Sequence, residues 1–158
     1  MKKFELTSEF VTFLGKTLFR IKALVSFGDV AEGELGGFIE RENNLDQSGD
    51  AWVYGDARVY GDARVCGDAQ VYGDARVCGD ARVQNCRDYS ATSCFGSENR
   101  TTTFFRTKDG GISVRCGCFY GTLREFREKV KERHGDSRLA KEYLMLADLM
   151  EFRLSKDE

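Results

Sequence analysis

A small apolar residue and a valine alternate with more polar residues in a six-residue pattern between Gly49 and Gln84. The unit is Gly-Asp-Ala-x-Val-x, and it occurs six times in succession. Because Ala and Val are two positions apart, an extended strand points both to one side and the residue between them to the other. Glycine adopts turn dihedrals at little cost and aspartate hydrogen-bonds turn backbones, so each Gly-Asp pair predicts a corner. The pattern therefore predicts short strands with inward Ala and Val, joined by a corner every six residues.

This hexad resembles the repeat of left-handed parallel β-helix proteins, in which three hexads form one triangular coil. The resemblance implies the left-handed sense, which the spacing alone does not provide and which departs from the usual right-handed crossover. A coil of three hexads predicts that residues 18 positions apart stack at a spacing of about 4.8 Å. The predicted outward stacks are Tyr54 on Tyr72, Asp56 on Asp74, Arg58 on Arg76 and Arg64 on Arg82.

Six hexads form only two such coils, and an array this short needs further repeats or caps to bury its ends. The chain on either side continues the two apolar registers less regularly. Leu35, Tyr89 and Phe95 fall in the Val register, and Ile39, Leu45 and Ser93 fall in the Ala register. The sequence therefore predicts an irregular first coil over residues 33–48 and a degraded closing turn over residues 85–98.

The segments outside the repeats carry hairpin and helix signals. Apolar-rich runs on both sides of Gly15-Lys16 predict an N-terminal strand pair, and the runs around Asp109–Gly111 predict a second hairpin. A capping box over Thr122–Glu125 predicts a helix that ends near His134-Gly135. A second helix is predicted from about Ser137 to Phe152.

These elements together predict a mainly β fold. Its centre is a short left-handed parallel β-helix of hexapeptide repeats, capped by an N-terminal β-hairpin and by a C-terminal β-hairpin plus two helices. The predicted divisions are residues 1–32 for the first cap, 33–98 for the β-helix with regular hexads over 49–84, and 99–158 for the second cap.

Charge is uneven along the chain, although the formal net charge is only −2 and nucleic-acid binding is not indicated. Residues 28–50 carry a net charge of −6 and residues 99–134 a net charge of +5. An acidic segment beside outward aromatic side chains predicts a surface that binds a protein partner, since Tyr and Trp are favoured at interfaces. The candidate residues are Glu32, Glu34, Glu40, Glu42, Asp46, Trp52, Tyr54, Tyr60 and Tyr72.

Two longer segments, "FGDVAEGELGGFIERENNL" and "FFRTKDGGISVRCGCFYGTLREF", resemble small hexapeptide-repeat proteins of phages, prophages and mobile elements. Proteins of this kind are often labelled transferases or polymer-forming proteins without a demonstrated activity. The resemblance implies a phage or mobile-element origin. With the acidic and aromatic candidates, it leads us to expect a non-enzymatic protein that inhibits a bacterial antiviral defence component, such as an immune protein or nuclease complex, in the manner of an anti-CRISPR protein.

An acyltransferase-like enzyme is the alternative, because many left-handed β-helix proteins are acyltransferases with a histidine base. The single histidine, His134, falls at a helix end outside the repeats, so no catalytic residue is assigned. A zinc hydratase of this fold would need three histidines. Cys116 and Cys118, predicted on one side of a strand, are weak metal-ligand candidates, and neither a metal nor a cofactor is predicted.

A polymer-forming structural protein is a third alternative, although capped ends argue against it.

The second helix has an apolar face wider than a single stripe. It is buried either inside the monomer or against another copy, and the sequence leaves both open. From the second alternative we expect a homo-oligomer (dimer or trimer). The candidate interface residues are Leu146, Leu149, Met150 and Phe152.

Six cysteines without an export signal, and the lack of a long apolar stretch, predict a protein with reduced thiols in the cytoplasm of a bacterial host.

Overall fold

The computed structural model describes residues 2–93 and 101–155, which form thirteen strands, two α-helices and a short 3-10 helix at Glu42–Asn44. The strands and α-helices in chain order are β1 (Phe4–Phe13), β2 (Lys16–Ala23), β3 (Leu35–Ile39), β4 (Trp52–Val53), β5 (Arg58–Val59), β6 (Arg64–Val65), β7 (Gln70–Val71), β8 (Arg76–Val77), β9 (Arg82–Val83), β10 (Tyr89–Thr92), β11 (Thr102–Arg106), β12 (Ile112–Cys116), β13 (Phe119–Thr122), α1 (Leu123–His134) and α2 (Arg138–Leu154).

The six hexads form three stacks of parallel strands: β4 on β7, β5 on β8 and β6 on β9. Each pair joins residues 18 apart, as in Arg58 with Arg76 and Arg64 with Arg82. The Ala and Val of every hexad are at most 1% exposed. The predicted inward positions and the predicted stacking of these arginines are therefore confirmed, and the chain is mainly β with solenoid-type repeats.

The coil before the hexads has a different register from the predicted one. Ile39 pairs with Val59 and Leu45 with Val65, both 20 residues apart, so these residues occupy Val positions and not Ala positions. Leu35 is 52% exposed and pairs with Lys22 in β2. The predicted register is wrong because Leu45 and Val53 are eight residues apart, two more than successive valines of the hexads.

The longer connection around Gln47 holds the beginning of the chain. The Gln47 side-chain oxygen accepts hydrogen bonds from the backbone N–H groups of Lys3 (2.7 Å) and Phe4 (3.3 Å). The buried Lys3 ammonium donates to the carbonyls of Ala51 (2.8 Å) and Gly49 (3.3 Å). These contacts fix the start of β1 against the first regular hexad.

The predicted N-terminal strand pair is confirmed. β1 and β2 are antiparallel, and the turn between them places Leu14 at φ 53° and Gly15 at φ 77°, the left-handed dihedrals of a tight hairpin turn. β2 also pairs with β3, which gives one sheet in the order β1-β2-β3-β5-β8. The hairpin thus extends the β5–β8 stack beyond the first coil.

In the described part of the predicted closing turn, residues 85–93, the chain enters another sheet. β10 pairs antiparallel with β11, and the sheet continues in the order β10-β11-β12-β13. Tyr89 therefore begins an antiparallel strand and does not extend a coil, while Phe95 lies outside the described residues. The predicted hairpin around Asp109–Gly111 is confirmed as β11–β12, and β13 was not predicted.

This C-terminal sheet supplies hydrogen bonds to the last hexad strands. The Tyr89 hydroxyl donates to the Gln70 carbonyl (2.7 Å) and accepts from the Tyr72 N–H (3.3 Å). The Thr103 hydroxyl accepts from the Arg76 N–H at 3.0 Å. Side chains thereby replace the backbone partners that a further coil would provide, and they cap two of the three stacks.

Replacing Tyr89 by Phe should destabilise this end of the repeats. The change leaves the Gln70 carbonyl and the Tyr72 N–H without their partner, a loss of about 1–3 kcal/mol in the free energy of unfolding. Urea unfolding measures the loss, and hydrogen exchange should accelerate at the Tyr72 amide. Tyr72→Phe, which removes a hydroxyl from an exposed side chain, is the matched control and should change stability by less than about 0.5 kcal/mol. Equal stabilities of the two variants would contradict the capping role.

Both predicted helices are confirmed and pack on the C-terminal sheet. Thr122 caps α1, where its hydroxyl accepts from the Glu125 N–H and its own N–H donates to the Glu125 carboxylate. Ser137 caps α2. Phe104 and Val114 of the sheet meet apolar residues of both helices in a second hydrophobic core. Within the described residues, no helix has the length and apolar character needed to cross a bilayer.

Candidate binding surface

The stack of β4 on β7 places two kinds of side chain at its opposite ends. Asp50 and Asp68 precede the inward alanines, and Tyr54 and Tyr72 follow the inward valines. Residues four positions apart in extended chain are separated by about 13 Å. The hexad period therefore sets a column of carboxylates and a column of phenols at the two borders of one face.

The column of carboxylates gains a third member from the loop before β3. Asp29, Asp50 and Asp68 are all exposed and line one open depression of about 450 Å³, together with Gln70 and Arg87. Within residues 2–93 and 101–155, none of the three carboxylates forms an ion pair. We call Asp29, Asp50 and Asp68 the acidic edge.

The negative charge of the acidic edge affects the pKa of neighbouring side chains. Burial lowers the pKa of the Lys3 ammonium, and the Asp46 and Asp50 carboxylates partly oppose that effect. Burial raises the pKa of Tyr54, and the nearby Asp29 and Glu34 carboxylates raise it further. Negative potential therefore extends from the acidic edge to the tyrosine border of the same face.

The tyrosine border is an edge-to-face pair. The ring centroids of Tyr54 and Tyr72 are 6.5 Å apart with an interplanar angle of 82°, the geometry that aromatic quadrupoles favour. Tyr72 is 57% exposed and Tyr54 is partly exposed. These two residues, which we call the tyrosine pair, are the predicted outward aromatic residues that remain accessible.

The other two predicted outward aromatic residues, Trp52 and Tyr60, are not accessible. Trp52 is fully buried beneath Phe4 and Phe27, and Tyr60 is 3% exposed with its ring against Phe13. The prediction that they contribute aromatic surface is wrong. The N-terminal hairpin and the loop that follows it fold over the outside of the hexads and cover both rings.

Two of the predicted acidic candidates form ion pairs with cations of this chain. Glu40 accepts a hydrogen bond from the Gly61 N–H (2.8 Å) and pairs with Lys16 (3.6 Å) and Arg41 (3.5 Å). Burial opposes ionisation, yet that hydrogen bond and the two cations together lower the pKa of the Glu40 carboxyl. Glu42 pairs with Lys2 at 3.3 Å. Both carboxylates are thus paired with cations of this chain, Glu40 in a partly buried place and Glu42 at the surface.

The remaining acidic candidates lie in loops. Glu32 is exposed, and the Glu34 carboxylate accepts from the Ala31 N–H at 3.2 Å. Asp46 is exposed and accepts from the Ser48 N–H at 3.1 Å within its own turn. The predicted acidic segment is therefore divided, and only part of its charge borders the β4–β7 face.

The α2 candidates are also divided. Leu146 (7% exposed) and Met150 (3% exposed) are buried in the second hydrophobic core, because they face the C-terminal sheet and α1. Their prediction as residues available to another copy is wrong. Leu149 and Phe152 are 55% and 85% exposed and form an outer stripe with Met145, which is 72% exposed.

The residues considered for catalysis and metal binding lie elsewhere. His134 ends α1, where its ring stacks on Tyr143 at 5.7 Å. Cys116 ends β12 and accepts a hydrogen bond from the Thr102 hydroxyl, while Cys118 lies beyond Gly117 in the turn before β13. The expected placement of both thiols on one strand is therefore wrong. Among the described residues, no group of three or more His, Cys, Asp and Glu side chains could hold a metal ion.

The sequence contains a pattern that indicates two residues of the acidic edge, although these residues are not among the predicted candidates. Asp50 and Asp68 are 18 residues apart, so the coil period stacks them as it stacks the arginines. The contribution of Asp29 has no such signal, since only the folded loop before β3 brings it to the same depression.

Comparison with known families supports the repeat architecture. The model of the YdcK beta solenoid repeat family matches residues 51–67 and 57–73, two overlapping segments within the hexads. No curated protein matches the chain. The hexad region of this protein is thus similar to a β-solenoid repeat.

Proposed function

We propose that this chain is a non-enzymatic binding protein that docks its acidic edge and tyrosine pair against a basic surface of a partner protein. One observation carries the proposal. Asp29, Asp50 and Asp68 form no ion pair within the described residues, although they lie together around one depression, and Tyr72 is exposed on the same face.

The scaffold favours binding through this face. Asp50 and Asp68 are short side chains at corners whose neighbouring alanines are fully buried, so little conformational entropy is lost when they are immobilised. Tyrosine provides a large and rigid contact area. Unpaired carboxylates attract a cationic partner over long distance and raise the rate of association.

We propose further that the partner is a component of bacterial antiviral defence, and that this chain comes from a phage or mobile element and blocks the component in the host cytoplasm. This step rests on the resemblance of two segments to small phage hexapeptide-repeat proteins. Immune nuclease complexes bind nucleic acid through basic surfaces, which an acidic and aromatic face complements.

Self-association is part of the proposal. The outer stripe of Met145, Leu149 and Phe152 on α2 has the i, i+4, i+7 spacing of a helical contact face, and all three residues are more than half exposed. A second copy that places the same stripe against it would bury these side chains. Light scattering of the purified protein measures the oligomeric state.

We also propose that the hexads wind in the left-handed sense of the hexapeptide-repeat family that they resemble. The 18-residue pairing of all three stacks supports a coil of three hexads. The usual sense of a parallel crossover is right-handed. An experimental density map of the repeat region tests the handedness.

Neutralising the acidic edge should weaken partner binding without unfolding the protein. The variant carries Asp29→Asn, Asp50→Asn and Asp68→Asn, which keep the shape of the side chains and remove three charges. We expect at least a tenfold loss of affinity, because each lost charge contact at an interface is worth about 1 kcal/mol or more. Pull-down from a bacterial lysate identifies the partner, and calorimetry with the purified partner measures the affinity.

The matched control removes three acidic charges from the other end of the chain, with Asp109→Asn, Glu128→Gln and Asp136→Asn. All three residues are exposed in the C-terminal part of the protein. This variant should retain the affinity of the wild type. Equal affinities of the acidic-edge variant and this control would overturn the proposed surface, and a normal melting temperature of both excludes unfolding as the cause.

A further inference from the structure

Three arginine side chains converge on the ring of Phe13 at the tip of the N-terminal hairpin. The guanidinium carbons of Arg58, Arg76 and Arg115 lie 4.7, 5.6 and 6.0 Å from the ring centroid. Arg58 and Arg76 are stacked neighbours of β5 and β8, and Arg115 comes from β12 of the C-terminal sheet. We call these three residues the arginine cluster.

Two members of the arginine cluster have no anionic partner. Within the described parts of the chain, the guanidinium groups of Arg58 and Arg115 form neither an ion pair nor a hydrogen bond, and the Nε atoms of both are buried. Arg115 is only 9% exposed. Arg76 donates to the backbone carbonyls of Asp74 (2.6 Å) and Ala75 (3.4 Å).

Other arginines of the protein are compensated, which makes the arginine cluster distinctive. Arg127 pairs with Asp148 (2.8 Å) and Glu151 (2.7 Å), and Arg20 pairs with Glu9 (2.8 Å). The arginine cluster instead brings like charges together in a half-buried place, and a buried charge without a partner is costly.

The carboxylates nearest to the arginine cluster do not neutralise its positive charge. Asp56 and Asp74 partly offset the lowering of the Arg76 pKa by burial and by the neighbouring Arg58 charge. Asp56 already lies 3.5 Å from Arg20. The charge of the Lys16 ammonium opposes the rise that burial causes in the pKa of the nearby Cys78 thiol, and Lys16 pairs with Glu40. The site therefore retains an excess of positive charge.

We propose that the arginine cluster binds the phosphate group of a small ligand. Guanidinium groups donate planar pairs of hydrogen bonds that match phosphate oxygens, and several converging guanidinium groups suit a dianion. The ring of Tyr60 packs against Phe13, and its buried hydroxyl lies beside the Cys78 thiol and close to Arg76 and Arg115, so a further polar group is present at the same place. Phe13 and the low exposure of Arg115 restrict access, which favours a small phosphate compound over the flat surface of a macromolecule.

This site is separate from the proposed protein-binding surface. The arginine cluster lies on the β5–β8 stack, whereas the acidic edge and the tyrosine pair border the β4–β7 stack. The phosphate site therefore adds a ligand to the molecule and does not depend on the identity of the protein partner.

The test titrates the full-length protein with inorganic phosphate by calorimetry, at constant ionic strength set with chloride. We expect saturable binding of phosphate and a rise in melting temperature that chloride does not produce. Arg115→Gln should weaken phosphate binding at least tenfold, since one charge-assisted pair of hydrogen bonds is lost. Arg64→Gln, at an exposed arginine of the β6–β9 stack, is the control and should bind as the wild type does.

A second variant keeps the test possible if the first variant misfolds. If Arg115→Gln fails to fold, Arg58→Gln at a half-buried position takes its place and should show the same loss. Adenosine monophosphate in place of phosphate distinguishes a nucleotide from free phosphate, since tighter binding identifies a nucleotide ligand. The proposal is overturned if phosphate produces no saturable heat, or if the folded Arg115 or Arg58 variant binds phosphate as tightly as the wild type.

Discussion

Replacing Trp52 by Ala should lower the free energy of unfolding by about 3–5 kcal/mol, the range for truncating a buried aromatic residue. Trp52 is fully buried although it points away from the hexad interior, and its indole contacts Phe4 and Phe27 at centroid distances of 6.4 and 5.3 Å. Its loss leaves a cavity between the hexads and the start of β1. Urea unfolding followed by circular dichroism measures the change.

Tyr72→Ala is the matched control, because Tyr72 occupies another outward position of the same stack and is 57% exposed. Its truncation should cost less than about 1 kcal/mol, the usual size of an effect at the surface. A Trp52→Ala variant as stable as Tyr72→Ala would contradict the burial of the indole. The pair therefore separates an outward residue that is covered from one that is not.

The inside of the hexads could be predicted because its signal is local and repeated. Every Ala and Val is two positions from the other, and the strand period alone points both inward. The same repetition predicted that Arg58 would lie on Arg76. The capping box at Thr122 gave the start of α1 for a similar reason, since its two hydrogen bonds involve residues only three positions apart.

The outside of the hexads could not be predicted in the same way. The strand period shows that Trp52 and Tyr60 point outward, but it contains no information on which distant segment packs there. Phe4 and Phe13 cover these rings from the N-terminal hairpin. The prediction of accessible aromatic residues therefore failed at these two positions and stands at Tyr72 and at the partly exposed Tyr54.

The same limit applies to the two candidate sites. Asp50 and Asp68 follow from the coil period, whereas Asp29 joins them only through the fold of a loop. Arg58 and Arg76 likewise follow from the period, and Arg115 reaches them from a strand more than 30 residues later. Each site combines a predictable ladder of repeated residues with one residue that only the tertiary structure supplies.

Replacing Gly67 by Ala should lower the free energy of unfolding by roughly 3–5 kcal/mol, because two costs combine. Gly67 has a φ of +64°, where an L side chain is strained by about 1–2 kcal/mol. A Cβ at this corner would also lie 2.5 Å from the Gln84 carbonyl oxygen, so the backbone of the two segments must separate. Thermal and urea unfolding measure the loss of stability.

Gly73→Ala isolates the first of these costs, the backbone strain. Gly73 has a φ of +70°, and a Cβ there meets no atom within 4 Å, so only the backbone strain of about 1–2 kcal/mol is expected. The difference between the two variants then measures how closely the Gly67 corner approaches the end of the hexads. Equal losses would mean that the Gly67 corner can move away from Gln84 at no cost, and that the stack is looser there than the contact distances indicate. A larger loss at Gly67 would show that the corners, as well as the buried Ala and Val, fix the spacing between the stacked residues of the acidic edge and of the arginine cluster.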